Sequence, residues 1–426
     1  MTETTAGTTT AGTPAGTPAG PALTPGPAGR PYVVNTRTAD FNDRFHEILA
    51  TLRAEAPVAP TPVPHEYFVS RYDDVYAVLR DHETYSSREG VAVDPGGSRL
   101  PPIDTDPPEH TAWRGLLNRW FTRQRMEVHE PAIRAAAHAM IDEALATPTT
   151  DLVEAYSSRL PTEVFFTRIM GLTVEQARTC AGYVDQAVFS DDHDASKAGY
   201  AALGAFIAPL VTELRARPAE DELLSVIAHA EINGEPVSAQ QAILAVTLLV
   251  LGGLETTASV LSGGLHHLAT HPELLGALRR EEIPPAGFLE ECLRMFAPSS
   301  GLRRSLTRPV ELGGVALETG DSILVSYASA NYDEAAFPDA ATFDPARTPN
   351  RHVAFGVGIH RCLGSNLARL VLRTAFTVAA QRLEAIEPAG EIVYHSVPTR
   401  GLVTFPVRLR PTTSERALAS AGSGRS

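Results

Sequence analysis

The sequence predicts a mainly α, α+β protein, a helix-rich domain with small β-sheets at its periphery. Residues 110–275 keep an almost continuous helical period. Short apolar runs bounded by turn residues occur only toward the two ends of the body, around 66–70, 310–325 and 402–409. No internal repeat or long linker divides residues 30–411, which therefore read as one domain.

The elements follow in order. Residues 1–29 are Thr, Ala, Gly and Pro with almost no large apolar side chain, and 412–426 are similarly poor in them. Neither stretch can bury enough surface to offset its ordering entropy, so a disordered leader and tail are expected. The leader also lacks the apolar core of a signal peptide. Glu66–Ser70 reads as a strand and Asp73–Arg80 as a helix with Val75, Val78 and Leu79 on one face. Residues 86–108, rich in Ser, Gly, Pro and Asp, predict a long loop of the kind that often carries function. Ser238 with Gln241 forms a capping box that starts a helix running to about residue 270. Its apolar run, Ala242–Leu254, stops at Glu255 and is too short to cross a bilayer. Leu278–Arg294 is helical but interrupted by Pro284-Pro285. Val310–Leu317 and Ser322–Val325 are expected strands, with turns at Gly313-Gly314 and Gly320. A helix follows Gly364, and Leu402–Leu409 closes the body as a strand.

The formal net charge of −14 offers no general cationic field for nucleic acid. Cys180, Cys292 and Cys362 are odd in number and widely spaced, which does not make a secreted disulfide framework and fits a reduced, cytoplasmic compartment.

The stretch Ala354–Gly364, AFGVGIHRCLG, concentrates the chemistry. Cys362 could be a small buried residue, half of a disulfide, a nucleophile beside His360, or a metal ligand. A zinc site on His360 and Cys362 lacks two further ligands at suitable spacing. The nucleophile reading stays open on local residues alone. Gly356 and Gly358 allow the backbone to turn N–H groups toward the sulfur, and Gly364 allows the following helix to approach. A thiolate facing such donors at a helix N-terminus is stabilised as an anion, an environment that suits a ligand to haem iron.

Phe355–Gly364, as F-G-x-G-x-H-x-C-x-G, resembles the haem-ligand loop of the cytochrome P-450 family. The resemblance implies that family's fold around a buried haem b. It makes Cys362 the axial thiolate, packs Phe355 over the sulfur and brings His360 to a propionate. Glu291-Cys-Leu-Arg294 is similar to the family's E-x-x-R, and Phe343–Arg347 to the segment that adds a second arginine. The implied role of Glu291, Arg294 and Arg347 is a buried structural charge network. Gly252–Thr257 resembles A-G-x-[D/E]-T, departing at Gly252, where the family has alanine. By that likeness Gly252 leaves room beside the haem, Thr256 holds a water by a hydrogen bond, and Glu255 feeds protons inward. His110, Arg114 and Arg304 fall where the family binds propionates, with Arg303 as a neighbour that could take the place of Arg304.

The family layout puts substrate contacts at Val93, Phe189, Leu248, Leu251, Ser299, Leu302 and Val397, and the mostly apolar set implies a mid-sized organic substrate. Arg119, Arg123, Arg125, Arg361, Arg369 and Arg373 form an expected basic patch for an acidic ferredoxin, which would carry electrons from NAD(P)H via its reductase. The expected activity is insertion of one oxygen atom of O2, hydroxylation first, in secondary metabolism or catabolism. A monomer with no membrane or nucleic-acid partner is expected. Two rivals stand beside hydroxylation. One is another reaction of the same oxidant class: C–C coupling, epoxidation, dealkylation or nitration. The other is a haem carrier or sensor without turnover; the Glu255-Thr256 pair argues against it, because a carrier has no use for a proton path.

Overall fold

The computed structural model describes residues 20–27, 29–91, 99–190, 192–298, 301–394 and 401–413. Val93, Ser299 and Val397 lie outside the described residues, as does the side chain of Phe189. Order begins before the expected body: Leu23–Pro25 pairs antiparallel with Tyr32–Val34. The Ala22 N–H donates to Asp40 Oδ2 at 2.7 Å, and Ala22 is fully buried beside Phe41 and Phe45. This anchor depends on residues beyond the leader, so composition could not disclose it.

The helices that position the site are α1 (Tyr72–Arg80), α2 (Glu109–Asn118), α3 (Ala239–Gly253), α4 (Glu255–Thr270), α5 (Pro285–Met295) and α6 (Ser365–Arg382). Val75, Val78 and Leu79 are buried on α1, as their spacing requires. The main core packs α4, α5, α6 and the helix Glu130–Leu145 around Leu261, Leu265, Phe288 and Phe376.

Three elements differ from expectation. The helix begun by the Ser238–Gln241 capping box breaks at Leu254, whose φ of −94° and ψ of −79° lie at the edge of the α region. Gly253 lies against Phe165, where a Cβ would stand 2.5 Å from the ring. An 18-residue window within Ala239–Thr270 reaches a mean hydropathy of 1.8, long and apolar enough to cross a membrane by length and composition, contrary to the sequence expectation. Half of that window is buried inside the protein, the ordinary use of a core helix. Pro284-Pro285 does not interrupt a helix but starts one, with Pro285 in the first turn of α5, where its missing N–H costs nothing.

A five-stranded sheet runs β1 (Val58–Pro60), β2 (Glu66–Val69), β5 (Ser322–Val325), β4 (Leu302–Leu306) and β3 (Tyr85–Ser86) in spatial order. Strand β5 is parallel to β2 and antiparallel to β4, with Ile323 opposite Arg304 and Leu324 opposite Arg303. The charged run Leu-Arg-Arg-Ser-Leu hid β4 from a hydropathy reading. Val310–Leu317 is a hairpin that turns, as expected, at Gly313 and Gly314, with φ of 57° and 77°. The expected final strand divides into Leu402–Thr404 and Pro406–Pro411.

A cysteine loop, a cationic cluster and a broken helix as candidate active site

The loop that carries Cys362 closes on itself. The Cys362 N–H donates to the Phe355 carbonyl at 2.8 Å, and the Gly356 N–H to the Val353 carbonyl at 2.8 Å. Gly356 and Gly358 have φ of 62° and 75°, in the left-handed region. At Gly358 a Cβ would stand 2.2 Å from the Leu79 carbonyl oxygen, so the loop is seated on the end of α1. Gly358→Ala is expected to lower the unfolding midpoint and haem retention together, by about 1–3 kcal/mol of strain; equal stability by urea titration would contradict this. Gly364 differs from expectation: its φ is −79° and a Cβ there would meet no atom within 4 Å. Gly252 likewise faces open space. Close approach is required at Gly358 and Gly253 instead.

Cys362 is exposed, whereas Cys180 and Cys292 are buried. Burial by the surrounding loop pushes the Cys362 thiol above its ordinary range. The Gly364 N–H and the charges of Arg114, Arg361 and Arg369 act in the opposite sense, toward the thiolate. Phe355 is partly buried, with the Arg369 guanidinium 4.6 Å from its ring centroid.

Arg369 is itself committed. Its Nε and Nη2 donate to Glu290 at 2.6 and 2.9 Å, and His352 Nε2 lies 2.9 Å from the same carboxylate. Burial works to raise the Glu290 carboxyl, but these two partners outweigh it and hold it down to about 2. Other members of the expected basic patch are paired too: Arg373 with Glu130 at 3.1 Å, Arg123 with Glu127 at 2.7 Å, and Arg125 with Asp221 at 3.5 Å. Arg119 is exposed, 6.0 Å from the Trp120 ring, and Arg361 is exposed. The net positive field is therefore narrower than the arginine count suggested. Adjacent Glu290-Glu291 was the one sequence signal for this second network.

Beside the loop, histidines and arginines collect. The His110 and His360 rings have centroids 4.3 Å apart, and His360 Nε2 lies 3.2 Å from Ser87 Oγ. Burial, then the nearby Arg114 charge, pushes His110 down to about 4. Burial, then Arg304, His110 and Arg114, pushes His360 down to about 2, so both rings are neutral at pH 7. His110 Nε2 is buried without a hydrogen-bond partner. Alternation along β4 separates the two arginines that the sequence could not rank. Arg303 turns to Ser322 Oγ at 3.1 Å and toward Glu66 at 3.8 Å, while Arg304 is buried near His360 and Tyr327. An orphaned donor beside two arginines fits the carboxylates of a haem.

On the broken helix, the exposed Thr256 hydroxyl donates to the Gly252 carbonyl at 3.3 Å. Glu255 Oε1 accepts from Ser259 Oγ at 2.9 Å. Burial pushes the Glu255 carboxyl up to about 7; the Ser259 bond opposes this and the Asp185 charge adds to it.

Glu291 and Arg294 on α5 are wholly buried and joined by two bonds, 2.9 Å from Nε and 2.7 Å from Nη2. Arg294 also donates to the carbonyls of Asn331, Ala340 and Thr342. Glu291 accepts from Arg347 Nε at 3.2 Å, the Asp344 N–H at 3.0 Å and Asn350 Nδ2 at 3.0 Å. Asn331, Asp344 and Asn350 had no local signature. Of the expected substrate positions, Leu248 and Leu251 are partly buried on α3, and Leu302 packs against the smaller core with Val325 and Tyr327.

A model of the cytochrome P-450 family matches residues 205–283 and 286–408. The cytochrome P-450 monooxygenase PikC of Streptomyces venezuelae is 31% identical over 385 residues, spanning 87% of this chain and 92% of that protein. The chain belongs to the cytochrome P-450 family. The 6-deoxyerythronolide B hydroxylase of Saccharopolyspora erythraea is 29% identical over 400 residues, covering 88% of this chain and 99% of that protein. A solved structure of a mutant of the cytochrome P-450 EryK in complex with erythromycin B superposes with a TM-score of 0.79 at 26% identity. It covers 86% of this chain and 96% of that one. The chain is thus a cytochrome P-450 monooxygenase with haem b as its cofactor.

Proposed function

We propose that this cytochrome P-450 hydroxylates a mid-sized, largely apolar organic molecule in bacterial secondary metabolism, with Cys362 as the haem-iron ligand. The observation that carries this reading is the Cys362 loop: an exposed sulfur faced by the Gly364 N–H and by Arg114, Arg361 and Arg369. Bound haem supplies an iron centre at which O2 is reduced and one oxygen atom becomes transferable to substrate. The Phe355 carbonyl closes the loop on the Cys362 N–H, and the Gly364 backbone donor offsets the negative charge of the sulfur. His110, Arg114, Arg304 and His360 hold the propionates; neutral His110 offers the otherwise orphaned Nε2 to one of them. Thr256 and Glu255, where the long helix breaks, hold and deliver protons. The likeness to 6-deoxyerythronolide B hydroxylase supports a substrate of this size class.

Electrons come from a ferredoxin that docks at Arg361 and Arg119, with the paired arginines around them adding a weaker field, in a cytoplasmic setting. Titration with macrolactones, steroids and smaller aromatics, followed by displacement of the iron-bound water in the Soret region, tests the substrate class; a response only to small aromatics would overturn it. Thr256→Ala is expected to keep NAD(P)H oxidation while diverting most of it to peroxide, a loss in product of about 10²-fold. Unchanged product per electron would exclude the role given to Thr256.

A further inference from the structure

Helix α4 carries a side chain that the motif does not include. Ser259 is 2% exposed, one turn beyond Glu255, and donates its hydroxyl to that carboxyl at 2.9 Å. Gly401 presses on the pair from the start of the Leu402–Thr404 strand. A Cβ on Gly401 would stand 2.3 Å from Ser259 Oγ and 3.0 Å from Glu255 Oε1. Behind them lies a cavity of about 170 Å³ lined by Ser259, Gly401, His46, His266, Tyr332 and Tyr394. The Tyr394 hydroxyl is 3.5 Å from His266 Nδ1. Glu255, Ser259 and His266 share one stripe of α4, at helical spacing. Apolar Phe45, Met295, Phe296 and Leu402 complete its walls, so the cavity is mixed, with room for water beside its polar side chains.

Resting on the haem-thiolate reading above, we propose that Ser259 is the gate of a proton-entry route running from this cavity through Glu255 to Thr256. A cavity water gives a proton to the Ser259 oxygen as the Ser259 O–H proton passes to the Glu255 carboxylate. Glu255 then releases its proton toward Thr256, and a proton from bulk restores the cavity water. Only O–H bonds form and break; the water, Ser259 and Glu255 are restored, and each cycle moves one proton from bulk to Thr256, where O2 reduction consumes it. Among the described residues, the groups facing Glu255 include Ser259 on its own helix, Asp185 on the helix Val174–Phe189 and the backbone of Gly401. Arg400, next in sequence to Gly401, lies outside the described residues. Gly401 is a positioning residue, because a side chain there would displace the Ser259 hydroxyl.

The test uses substrate-free holoenzyme with NADPH, a plant-type ferredoxin and its reductase. O2 consumption is followed in H2O and D2O for wild type, Ser259→Ala, Ser259→Thr, Gly401→Ala and Thr256→Ala. Ser259→Ala and Gly401→Ala are expected to slow consumption about tenfold and enlarge the solvent isotope effect, while Ser259→Thr stays within about twofold. Independently of turnover, the infrared band of the protonated Glu255 carboxyl, identified by its loss in Glu255→Gln, should titrate at higher pH in Ser259→Ala, because the hydroxyl favours the charged form. Wild-type rates, isotope effect and carboxyl titration in Ser259→Ala would overturn the proposal, as would a Thr variant as slow as the Ala one. A wild-type protein without a haem-thiolate spectrum would instead overturn the reading beneath it, and the infrared measurement would still report the Glu255–Ser259 link.

Discussion

Cys362→Ser abolishes the red-shifted Soret band of the reduced, carbon monoxide-treated protein, and monooxygenase turnover falls to background. A serine oxygen at this position is a poor ligand for haem iron, and no other cysteine can replace it. Cys180 and Cys292 are buried, and burial pushes the Cys180 thiol up to about 12 and Cys292 well above its ordinary range. The polypeptide itself should be little affected. Cys362 is exposed, and its backbone N–H, which closes the loop on the Phe355 carbonyl at 2.8 Å, is unchanged by the substitution. The unfolding midpoint of the haem-free protein is therefore expected within about 0.5 kcal/mol of wild type. A variant that keeps the red-shifted band, or a wild type with a histidine-ligated spectrum, would remove Cys362 from its assigned role.

Glu291→Ala is expected to cost the fold rather than the chemistry. Arg294 is 0% exposed, and without the carboxylate its charge is left in the core with only carbonyl oxygens as partners. Breaking a buried pair in this way costs about 3–5 kcal/mol, a large share of the roughly 5–15 kcal/mol typical of a folded domain. Asp344, Arg347 and Asn350 lose their acceptor at the same time, which releases the segment leading to the cysteine loop. The measurement is urea unfolding of the haem-free protein together with soluble yield. Replacing both partners, Glu291→Leu with Arg294→Met, should recover part of the loss because no unpaired charge remains. A midpoint unchanged in Glu291→Ala would show that the network carries no stability.

Features written within a few residues are legible in the sequence itself. The apolar spacing of Val75, Val78 and Leu79 marks α1, and the Ser238–Gln241 box marks the start of α3. The motif around Cys362 points to the family, and the left-handed φ at Gly356 and Gly358 follows from glycine at those positions. Strand β4 is not legible in this way, because its two arginines mask a strand whose place is set by β5 and β3 beside it. The docking patch is overcounted for a related reason: charge is visible in a sequence, but the partners that neutralise Arg369 and Arg373, Glu290 and Glu130, come from other helices.

Local motifs thus pointed to the cysteine, the acid–alcohol pair and the paired charges of α5 through their resemblance to the family, since each is written on one turn or one loop. Tertiary structure decided which arginine of β4 joins the histidines, where the long helix breaks, and what holds Glu255. Those outcomes depend on strand pairing and on contacts such as Gly253 with Phe165 and Gly401 with Ser259. They join residues far apart along the chain, and such contacts exist only after the core has packed.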